Sequence, residues 1–333
     1  MCYNLTHLAD VITMPERTKK QRNNPFIRGA IGMKKTALGF LFIMILIFPH
    51  EGFSQEPEFL WDYQYDVPYV PTPHEVVYEM LKMANVGNND YLYDLGCGDG
   101  RIVITAVKDT GCHGIGIDID PLRIEESNNN AAKAGVTDKV KFLQQDLFEA
   151  DFSKATVLTL YLLQTVNLEL RPKILRVLKP GTRIVSHDFS MTDWEADKYT
   201  EVKLERRTHS VYFWIVPANV SGTWKWTSPT GSEKDQYVLE LDQQFQKING
   251  TLYVNGSGLS IERGKLVGDK LQFTVGRTLK GKTVRMLFSG KVKGSSIEGN
   301  QKTEAESATK TSKWKAKRNP STVSPIEGSD KLR

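Results

Sequence analysis

The sequence predicts a doubly wound α/β domain built on a parallel sheet, followed by a small all-β domain that closes as a barrel or sandwich. Between residues 66 and 216, short apolar runs of strand type alternate with helical patterns, which is typical of a parallel sheet covered by helices on both faces. After residue 216, short runs of alternating polarity are separated by Gly, Asn or Asp, which indicates an antiparallel meander. The 333 residues suit about two such domains.

Local signals predict the elements of the α/β domain in chain order. Residues 72–75 form a capping box with an early proline, and apolar residues at helical spacing follow it. Further helices are predicted to begin at Arg101 and after Asp120, and another is predicted over residues 168–178, where residues 179–181 end it. Strands are predicted over residues 91–95, 114–118, 140–143, 156–163 and 182–186, and residues 202–216 supply a closing hairpin.

Residues 1–54 are predicted to be a leader. Basic residues at 34 and 35 precede an apolar run over residues 36–48, and small residues stand near Ser54. This pattern is typical of a secretory signal peptide over residues 33–54, and the run is shorter than the ~20 residues of a membrane span. We therefore expect an exported or membrane-associated protein that starts at Met33, and a cytoplasmic one if the segment is not used. A short buried helix and an uncleaved anchor remain alternatives.

The two predicted domains carry opposite charge. Residues 55–216 hold 25 acidic and 17 basic side chains, whereas residues 217–333 hold 20 basic and 11 acidic ones. Outward lysines on a β unit are typical of edge protection, and the alternative is a docking surface for an acidic partner or a membrane surface. No nucleic acid partner is expected, because no stacking platform stands apart from the apolar core positions. Three cysteines without a CxxC pair predict neither a disulfide framework nor a metal site.

The predicted strand ends carry the chemistry. Gly96, Gly98 and Gly100 form a turn between the first strand and a helix, where the backbone can approach a ligand because no Cβ obstructs it. Asp118 ends the second strand, where a carboxylate can accept both hydroxyls of a ribose. Asp146 follows the third strand and could hold the amino group of an adenine. In open α/β sheets, ligands bind beyond these carboxyl ends.

The segments 93–101, 116–118, 145–147 and 178–181 resemble, in order and spacing, the motifs of class I S-adenosylmethionine-dependent methyltransferases. The resemblance implies a Rossmann-like sheet of seven strands with the last one antiparallel, and S-adenosylmethionine as cofactor. It also implies cofactor contacts: Asp94 with Gly96, Gly98 and Gly100 at the methionine part, Asp118 at the ribose, and Asp146 with Leu147 at the adenine. A dinucleotide site fits less well, because Arg101 stands where the Gly-x-Gly-x-x-Gly spacing requires glycine.

A narrower resemblance concerns the segment before the first helix. Residues 68–73, together with the glycine turn, are similar to the lysine methyltransferases of the ATP synthase c subunit and their bacterial relatives. In that family this segment folds over the cofactor, which makes Tyr69 and Thr72 candidate cofactor contacts. Capping of the following helix is an equal interpretation of Thr72. Cys97 and Asp118 stand where the eukaryotic enzymes tend to have Ser and Glu, which leaves the substrate open.

Candidate catalytic residues follow the fourth and fifth strands. An amine must lose a proton before it attacks a methyl group, and His187 beside Asp188 is a candidate proton acceptor. A strand-end pair satisfied by loop amides is the alternative. Tyr161 either lines the acceptor pocket or lies in the core. Residues 159–164 lack the Asn/Asp-Pro-Pro-Tyr/Phe motif of amino-methylating nucleic-acid enzymes, which argues against a base methyltransferase.

The sequence thus predicts a methyltransferase domain over residues 55–217, a β domain over 218–318 with a mobile loop at 300–312, and a disordered tail over 319–333. By resemblance, the predicted reaction is N-methylation of a protein lysine. Methylation of a small molecule is an alternative within the same class. An exported binding protein with a vestigial nucleoside site is an alternative from another class, since export would separate the protein from its cofactor supply.

Overall fold

A computed structural model describes residues 69–230, 233–279, 282–305 and 308–326. The predicted leader with its signal-like segment and the last seven residues of the predicted tail lie outside the described residues. Within the described ranges, no helix combines the length and the apolar character needed to cross a membrane.

A seven-stranded sheet forms the α/β domain, in the order β3-β2-β1-β4-β5-β7-β6. The strands β1 to β5 run parallel, whereas β7 lies antiparallel between β5 and β6. The strand order reverses at β1, which pairs with both β2 and β4. This topology confirms the predicted doubly wound sheet and its antiparallel last strand. The strands are β1 Tyr91–Leu95, β2 His113–Asp118, β3 Val140–Gln144, β4 Val157–Leu160, β5 Arg183–His187, β6 Lys198–Lys203 and β7 Thr208–Ile215.

Four helices cover this sheet: α1 His74–Met83, α2 Arg101–Thr110, α3 Pro121–Ala134 and α4 Gln164–Val177. Gly100 before α2 has φ of 79° and Gly111 after it has φ of 73°, and glycine adopts this left-handed conformation without the strain of a Cβ. Asp120 caps α3 by accepting a hydrogen bond from the Leu122 amide. These caps agree with the predicted helix starts, although α4 begins four residues before the predicted position.

Nine antiparallel strands form the second sheet, in the order β11-β10-β9-β8-β16-β15-β14-β13-β12. Its two ends approach each other, because the Ile261 amide between β11 and β12 donates a hydrogen bond to the Gly250 carbonyl of β10. The sheet therefore closes almost completely into a barrel. The strands are β8 Gly222–Thr230, β9 Glu233–Gln244, β10 Lys247–Val254, β11 Ser257–Ser260, β12 Glu262–Val267, β13 Lys270–Leu279, β14 Lys282–Lys293, β15 Ser296–Ala305 and β16 Ala308–Arg318.

Aromatic side chains fill the barrel. Trp226 stacks on Tyr237 with ring centroids 4.9 Å apart, and Phe273 stacks on Phe288 at 4.8 Å. Trp314 lies 4.9 Å from Trp226 and is also buried. The interior of the barrel is therefore a packed core.

The structure corrects two predictions for the end of the chain. Residues 300–305 and 308–312 of the predicted mobile loop instead lie in β15 and β16, which pair from Ser296 and Lys317 to Ala305 and Ala308. The predicted disordered tail is folded as far as residue 326. The Thr322 hydroxyl accepts a hydrogen bond from the Thr223 amide, and Ile326 is buried in a core cluster of the α/β domain.

Phe245, in the turn between β9 and β10, joins the barrel to the α/β domain. Its ring stacks on Trp194 with centroids 5.5 Å apart and an interplanar angle of 9°, and the Arg171 guanidinium lies 5.1 Å from the ring centre. Both aromatic side chains are buried. Gln246 also donates a hydrogen bond to the Glu195 carbonyl at 2.7 Å. Trp194, in the loop after β5, therefore packs within the body of the molecule.

Candidate cofactor and acceptor site

A cleft lies at the carboxyl ends of β1, β2, β3 and β4, where the strand order reverses. Among the predicted site residues, only Gly100, His187 and Asp188 do not line this cleft. Gly100 instead caps α2, and a Cβ there would lie 2.7 Å from Phe142. The cleft-lining residues that the sequence predicted are Tyr69, Thr72, Asp94, Gly96, Gly98, Asp118, Asp146, Leu147 and Tyr161.

The glycine turn brings backbone to the floor of the cleft. The amides of Gly96 and Cys97 both donate to the Ile117 carbonyl, at 2.8 and 3.0 Å, which fixes the turn against β2. Gly98 has φ of 53°, and a Cβ on it would lie 2.6 Å from the Tyr69 ring. Glycine is required here both for the left-handed backbone and for the close approach of Tyr69.

The Asp118 carboxylate is held in place at the end of β2. One oxygen accepts the Gly98 amide at 2.8 Å and the other accepts the Asp120 amide at 3.0 Å. Each oxygen keeps a further acceptor site, which suits a diol such as that of a ribose. Ile119 beside it lines the cleft and is 49% exposed, and such an apolar face suits a flat heteroaromatic base.

Asp94 is a buried carboxyl at the end of β1. Only 2% of the residue is exposed, and the Thr159 hydroxyl donates to one of its oxygens at 2.7 Å. Burial raises the pKa of Asp94 to about 7, the charges of Asp118 and Asp99 add to this rise, and the Thr159 hydrogen bond opposes it. No Lys or Arg of the described residues forms an ion pair with Asp94. The site therefore suits an ammonium group.

A set of polar contacts fastens the segment before α1 over the cleft. Arg101 forms a bidentate ion pair with Asp99, at 2.6 to 3.0 Å, and donates to the Thr72 carbonyl at 3.0 Å. Burial raises the pKa of the Asp99 carboxyl, but the hydrogen bonds and charge of Arg101 outweigh burial and hold the pKa below its usual value. The Arg123 guanidinium lies 4.5 Å from the centre of the Tyr69 ring.

Sequence reasoning missed the roles of Asp99, Arg101 and Arg123. The first two stand inside the quoted glycine motif, so the motif contained the signal. Arg123 carried none, because its contact with Tyr69 forms only in the folded chain. At the next strand end, Asp146 accepts the Phe148 amide at 2.7 Å, which fixes the turn that presents Leu147 to the cleft.

The structure corrects the predicted capping role of Thr72. Pro73 is the N-cap of α1, and no side chain caps this helix. The Thr72 hydroxyl instead lies 3.2 Å from Nδ1 of His187. Capping fails because a proline ring, rather than a side-chain acceptor, occupies the cap position.

The structure places His187, the candidate proton acceptor, behind the wall of the cleft, and its catalytic role stays a prediction. His187 is fully buried, with Thr72 at one ring nitrogen and His209 at the other, 2.8 Å away. Its ring stacks behind Tyr161 with centroids 3.9 Å apart. Asp188 also lies outside the cleft, and its carboxylate accepts a hydrogen bond from the Ser210 amide at 2.8 Å. Tyr161 alone of the three predicted catalytic residues reaches the cleft, and its role there stays a prediction.

Comparison with known proteins agrees with this geometry. The family model of the ANTKMT methyltransferase domain matches residues 94–198. A protein-lysine N-methyltransferase of Saccharolobus islandicus is 46% identical over 151 residues, which cover 45% of this chain and 94% of that protein. The chain belongs to the class I S-adenosylmethionine-dependent methyltransferases. The predicted resemblance is thereby confirmed, and the protein is an enzyme whose cofactor is S-adenosylmethionine.

Two further proteins are similar to a part of this methyltransferase. The human lysine N-methyltransferase of the ATP synthase c subunit is 30% identical over 134 residues. The match covers 40% of this chain and only 57% of the length of the human protein. A structure described as an RNA methyltransferase from Salinibacter ruber, in complex with S-adenosyl-L-homocysteine, is 52% identical. The match covers 45% of this chain and 96% of the Salinibacter chain, with a TM-score of 0.43.

The residues of the methyltransferase cleft fit the cofactor. Asp94 would hold the ammonium of its methionine part, Asp118 the ribose hydroxyls, and Ile119, Asp146 and Leu147 the base. When bound, S-adenosylmethionine supplies an electrophilic methyl group on a sulfonium. The chain itself orients the reactants and excludes water, and Tyr69 over the glycine turn serves the second purpose.

Proposed function

We propose that this methyltransferase methylates the side-chain amine of lysine residues in a protein substrate. One observation carries the proposal: the relative named for protein-lysine N-methylation is 46% identical and is matched over 94% of its length. The family model matches residues 94–198, which include the cleft residues at the strand ends. The absence of an Asn/Asp-Pro-Pro-Tyr/Phe motif after β4, where Tyr161 stands instead, supports an acceptor other than a nucleic acid base.

The chain must do two things for an incoming lysine. Its ammonium must lose a proton, because only the neutral amine has a lone pair for the new bond. Its nitrogen must also be aligned with the methyl group in a space without water. Tyr161 lines the cleft and is held from behind by the stacked His187 ring, so it supplies a fixed wall for the lysine stem.

Labelling with a methyl-labelled cofactor tests the proposal. The enzyme is added to a cell lysate, and label is measured in protein, RNA and small-molecule fractions, with amino-acid analysis for methyl-lysine. We expect label as methyl-lysine in protein. Label confined to RNA or to small molecules would contradict the proposal, as would methylated protein without methyl-lysine.

Asp118→Ala provides the matched inactive control for this experiment. Loss of the carboxylate removes both the ribose acceptor and the anchor of the Gly98 amide, so we expect at least about 100-fold weaker cofactor binding in calorimetry. Asp138→Ala changes an exposed carboxylate away from the cleft and should bind normally. Equal labelling by wild type and Asp118→Ala would show that another enzyme of the lysate produced it.

The basic face of the barrel supports a second part of the proposal, an acidic protein partner. Lys313, Lys315 and Lys317 are exposed on β16, and Lys317 pairs in register with Lys225 of β8. Lys315 forms an ion pair with Glu298 at 2.5 Å. Substitution of Lys313 and Lys317 by Glu should weaken capture of an acidic protein but leave methylation of a short peptide unchanged. Capture of anionic vesicles instead would favour a membrane surface.

The signal-like segment at residues 33–54 supports the further proposal that the protein is exported or membrane-associated. N-terminal sequencing of the mature protein tests it. A mature chain that begins near Gln55 is expected, and one that begins at Met1 or Met33 would contradict cleavage and export.

A further inference from the structure

A series of polar side chains leads from the cleft to the protein surface. Thr72 lines the cleft, and its hydroxyl lies 3.2 Å from Nδ1 of His187. Nε2 of His187 lies 2.8 Å from Nδ1 of His209. The Asp188 carboxylate lies 3.3 Å from both imidazoles and pairs with Arg207, whose side chain is 49% exposed. These contacts connect the inside of the cleft with the solvent.

Burial of two imidazoles needs an explanation, because apolar side chains of similar size would fill the same space without loss of hydration. His187 is fully buried and His209 is 7% exposed. Burial lowers the pKa of His187, and the Asp188 carboxylate opposes this effect. The ring is therefore neutral at neutral pH and free to accept a proton. The groups that face it are Thr72, Tyr161, Asp188, Arg207 and His209.

Asp188 is a carboxylate that stays ionised. Burial raises its pKa, but the His187 hydrogen bond, the Ser210 amide and the Arg207 charge outweigh burial and hold the pKa at about 2. One oxygen of this carboxylate lies 3.3 Å from Nδ1 of His209, the histidine of the series nearest the surface.

The same groups form a cluster with metal-ligand geometry. One nitrogen each of His187 and His209 and one oxygen of Asp188 lie within 4.8 Å of one another. However, 2.8 Å between the two nitrogens is a hydrogen-bond distance. Arg207 also places its fixed positive charge 2.5 Å from the Asp188 oxygen that faces both rings. Both facts favour a hydrogen-bonded proton path over a cation site.

We infer that Thr72, His187 and His209 carry the proton of the acceptor ammonium out of the cleft, an inference that rests on the proposed lysine methylation. The ammonium proton moves to Oγ1 of Thr72 as the hydroxyl proton passes to Nδ1 of His187. The Nε2 proton of His187 then passes to Nδ1 of His209. The amine nitrogen keeps its electron pair for the N–C bond that would form as the methyl–sulfur bond of the cofactor breaks, and His209 releases a proton to the solvent.

Substitutions at Thr72 test the first step. Thr72→Val keeps the shape but removes the hydroxyl, whereas Thr72→Ser restores it. Without the path, only acceptor that arrives neutral can react, so the Thr72→Val rate should rise about tenfold per pH unit from pH 7 to 9, toward the lysine pKa of about 10.4. At pH 7 we expect a rate on the order of 100-fold below wild type. A parallel pH profile for wild type and Thr72→Val would overturn the inference.

A substitution at His209 tests the far end of the path without touching the cleft. His209→Gln should show the same pH slope as Thr72→Val, while its cofactor affinity in calorimetry stays within about threefold of wild type. His113→Gln, at the exposed start of β2, is the matched control and should keep the wild-type profile. A wild-type pH profile for His209→Gln would contradict the path, as would loss of wild-type activity on addition of a chelator.

Nitrogen-15 NMR of the histidine rings provides a readout that needs no methyl transfer. In the wild-type protein at pH 7, we expect His187 to be neutral with its proton on Nε2, and Thr72→Val should shift the Nδ1 resonance. A doubly protonated His187 at pH 7 would overturn the inference, because such a ring accepts no proton. Absence of methyl-lysine in the labelling experiment would instead defeat the proposed function and leave the NMR result standing.

Discussion

The Asp94 carboxyl is partly protonated near neutral pH in the free protein, and a bound cation would return it to its ionised form. Its pKa of about 7 results first from burial, and an ammonium placed beside it would favour the ionised form. Cofactor binding is therefore coupled to release of a proton from Asp94. The coupling concerns pH values below about 7, where the free protein holds the carboxyl in its neutral form.

The affinity for S-adenosylmethionine should consequently fall as the pH drops below about 7 and level off above it. Calorimetry at pH 6 should give a dissociation constant about tenfold higher than at pH 8, since one pH unit below the pKa leaves about a tenth of the carboxyl ionised. Asp94→Asn should bind more weakly at pH 8 and show no such pH dependence. An affinity for wild type that is constant from pH 6 to 8 would refute the coupling.

The sequence was sufficient to predict the site residues at the ends of the strands, but not the contacts of the polar residues behind the cleft. Asp94, Asp118 and Asp146 were predictable because parallel strands end at one edge of a sheet, so position along the chain determines position in space. Thr72 and His187 are 115 residues apart, and nothing local at either residue encodes their contact. The capping prediction for Thr72 used the local signal that was present, and a tertiary contact overrode it.

At the scale of elements, the glycine turn and the segment before α1 depend on each other. Gly98 admits the Tyr69 ring because a Cβ would lie 2.6 Å from it. The left-handed conformation of the turn at Gly98 and the position of Tyr69 over the cleft therefore depend on each other. A substitution at either residue should change the structure around the other.

Gly98→Ala should therefore destabilise the protein for two reasons, the positive φ and the clash with Tyr69. We expect a loss of about 2–4 kcal/mol, about 1 from the backbone and the rest from overpacking, measured by urea unfolding. Gly135→Ala is the matched control, because Gly135 has φ of 71° and nothing within 4 Å of its Cβ position. The double variant with Tyr69→Ala should recover the clash energy. Equal losses at Gly98 and Gly135 would contradict the role of Tyr69.

Glycine and polar composition misled the element prediction in the barrel. Glycine was expected between the strands, yet Gly290 lies within β14, where a Cβ would approach Ile297 at 2.6 Å and Trp314 at 3.0 Å. Residues 300–312 are rich in Lys, Thr, Glu and Ser, yet residues 300–305 and 308–312 lie in β15 and β16. The backbones of these two strands pair with each other, and β15 also pairs with β14. Such pairing does not depend on side-chain hydrophobicity.

At the scale of the whole molecule, the barrel packs against the α/β domain through a buried contact and is not joined to it by the chain alone. Phe245 inserts from the barrel into a core cluster that contains Trp194 and Trp214. The sequence predicted two domains with a simple boundary, because an apolar residue in a β-turn gives no sign that its ring completes another domain's core.

Phe245→Ala should separate the unfolding of the two domains. We expect a single calorimetric transition for wild type and two for the variant, with a loss of about 3–5 kcal/mol for the buried ring. Phe273→Leu, within the barrel core, should lower stability by less and keep a single transition. Two transitions in the wild type, or one in Phe245→Ala, would show that this contact does not couple the domains.

The folded chain end gives the barrel a second attachment. The barrel leaves the α/β domain near Ala218, and the chain returns to that domain at Ile326 after Ser324 has accepted hydrogen bonds from Asn219 and Ser221. A module held at both ends cannot swing on a linker. A substrate protein bound to the barrel would therefore reach the cleft only with a lysine that lies at a fixed distance from its docking surface. This distance, rather than the residues beside the lysine, would determine which lysine is methylated.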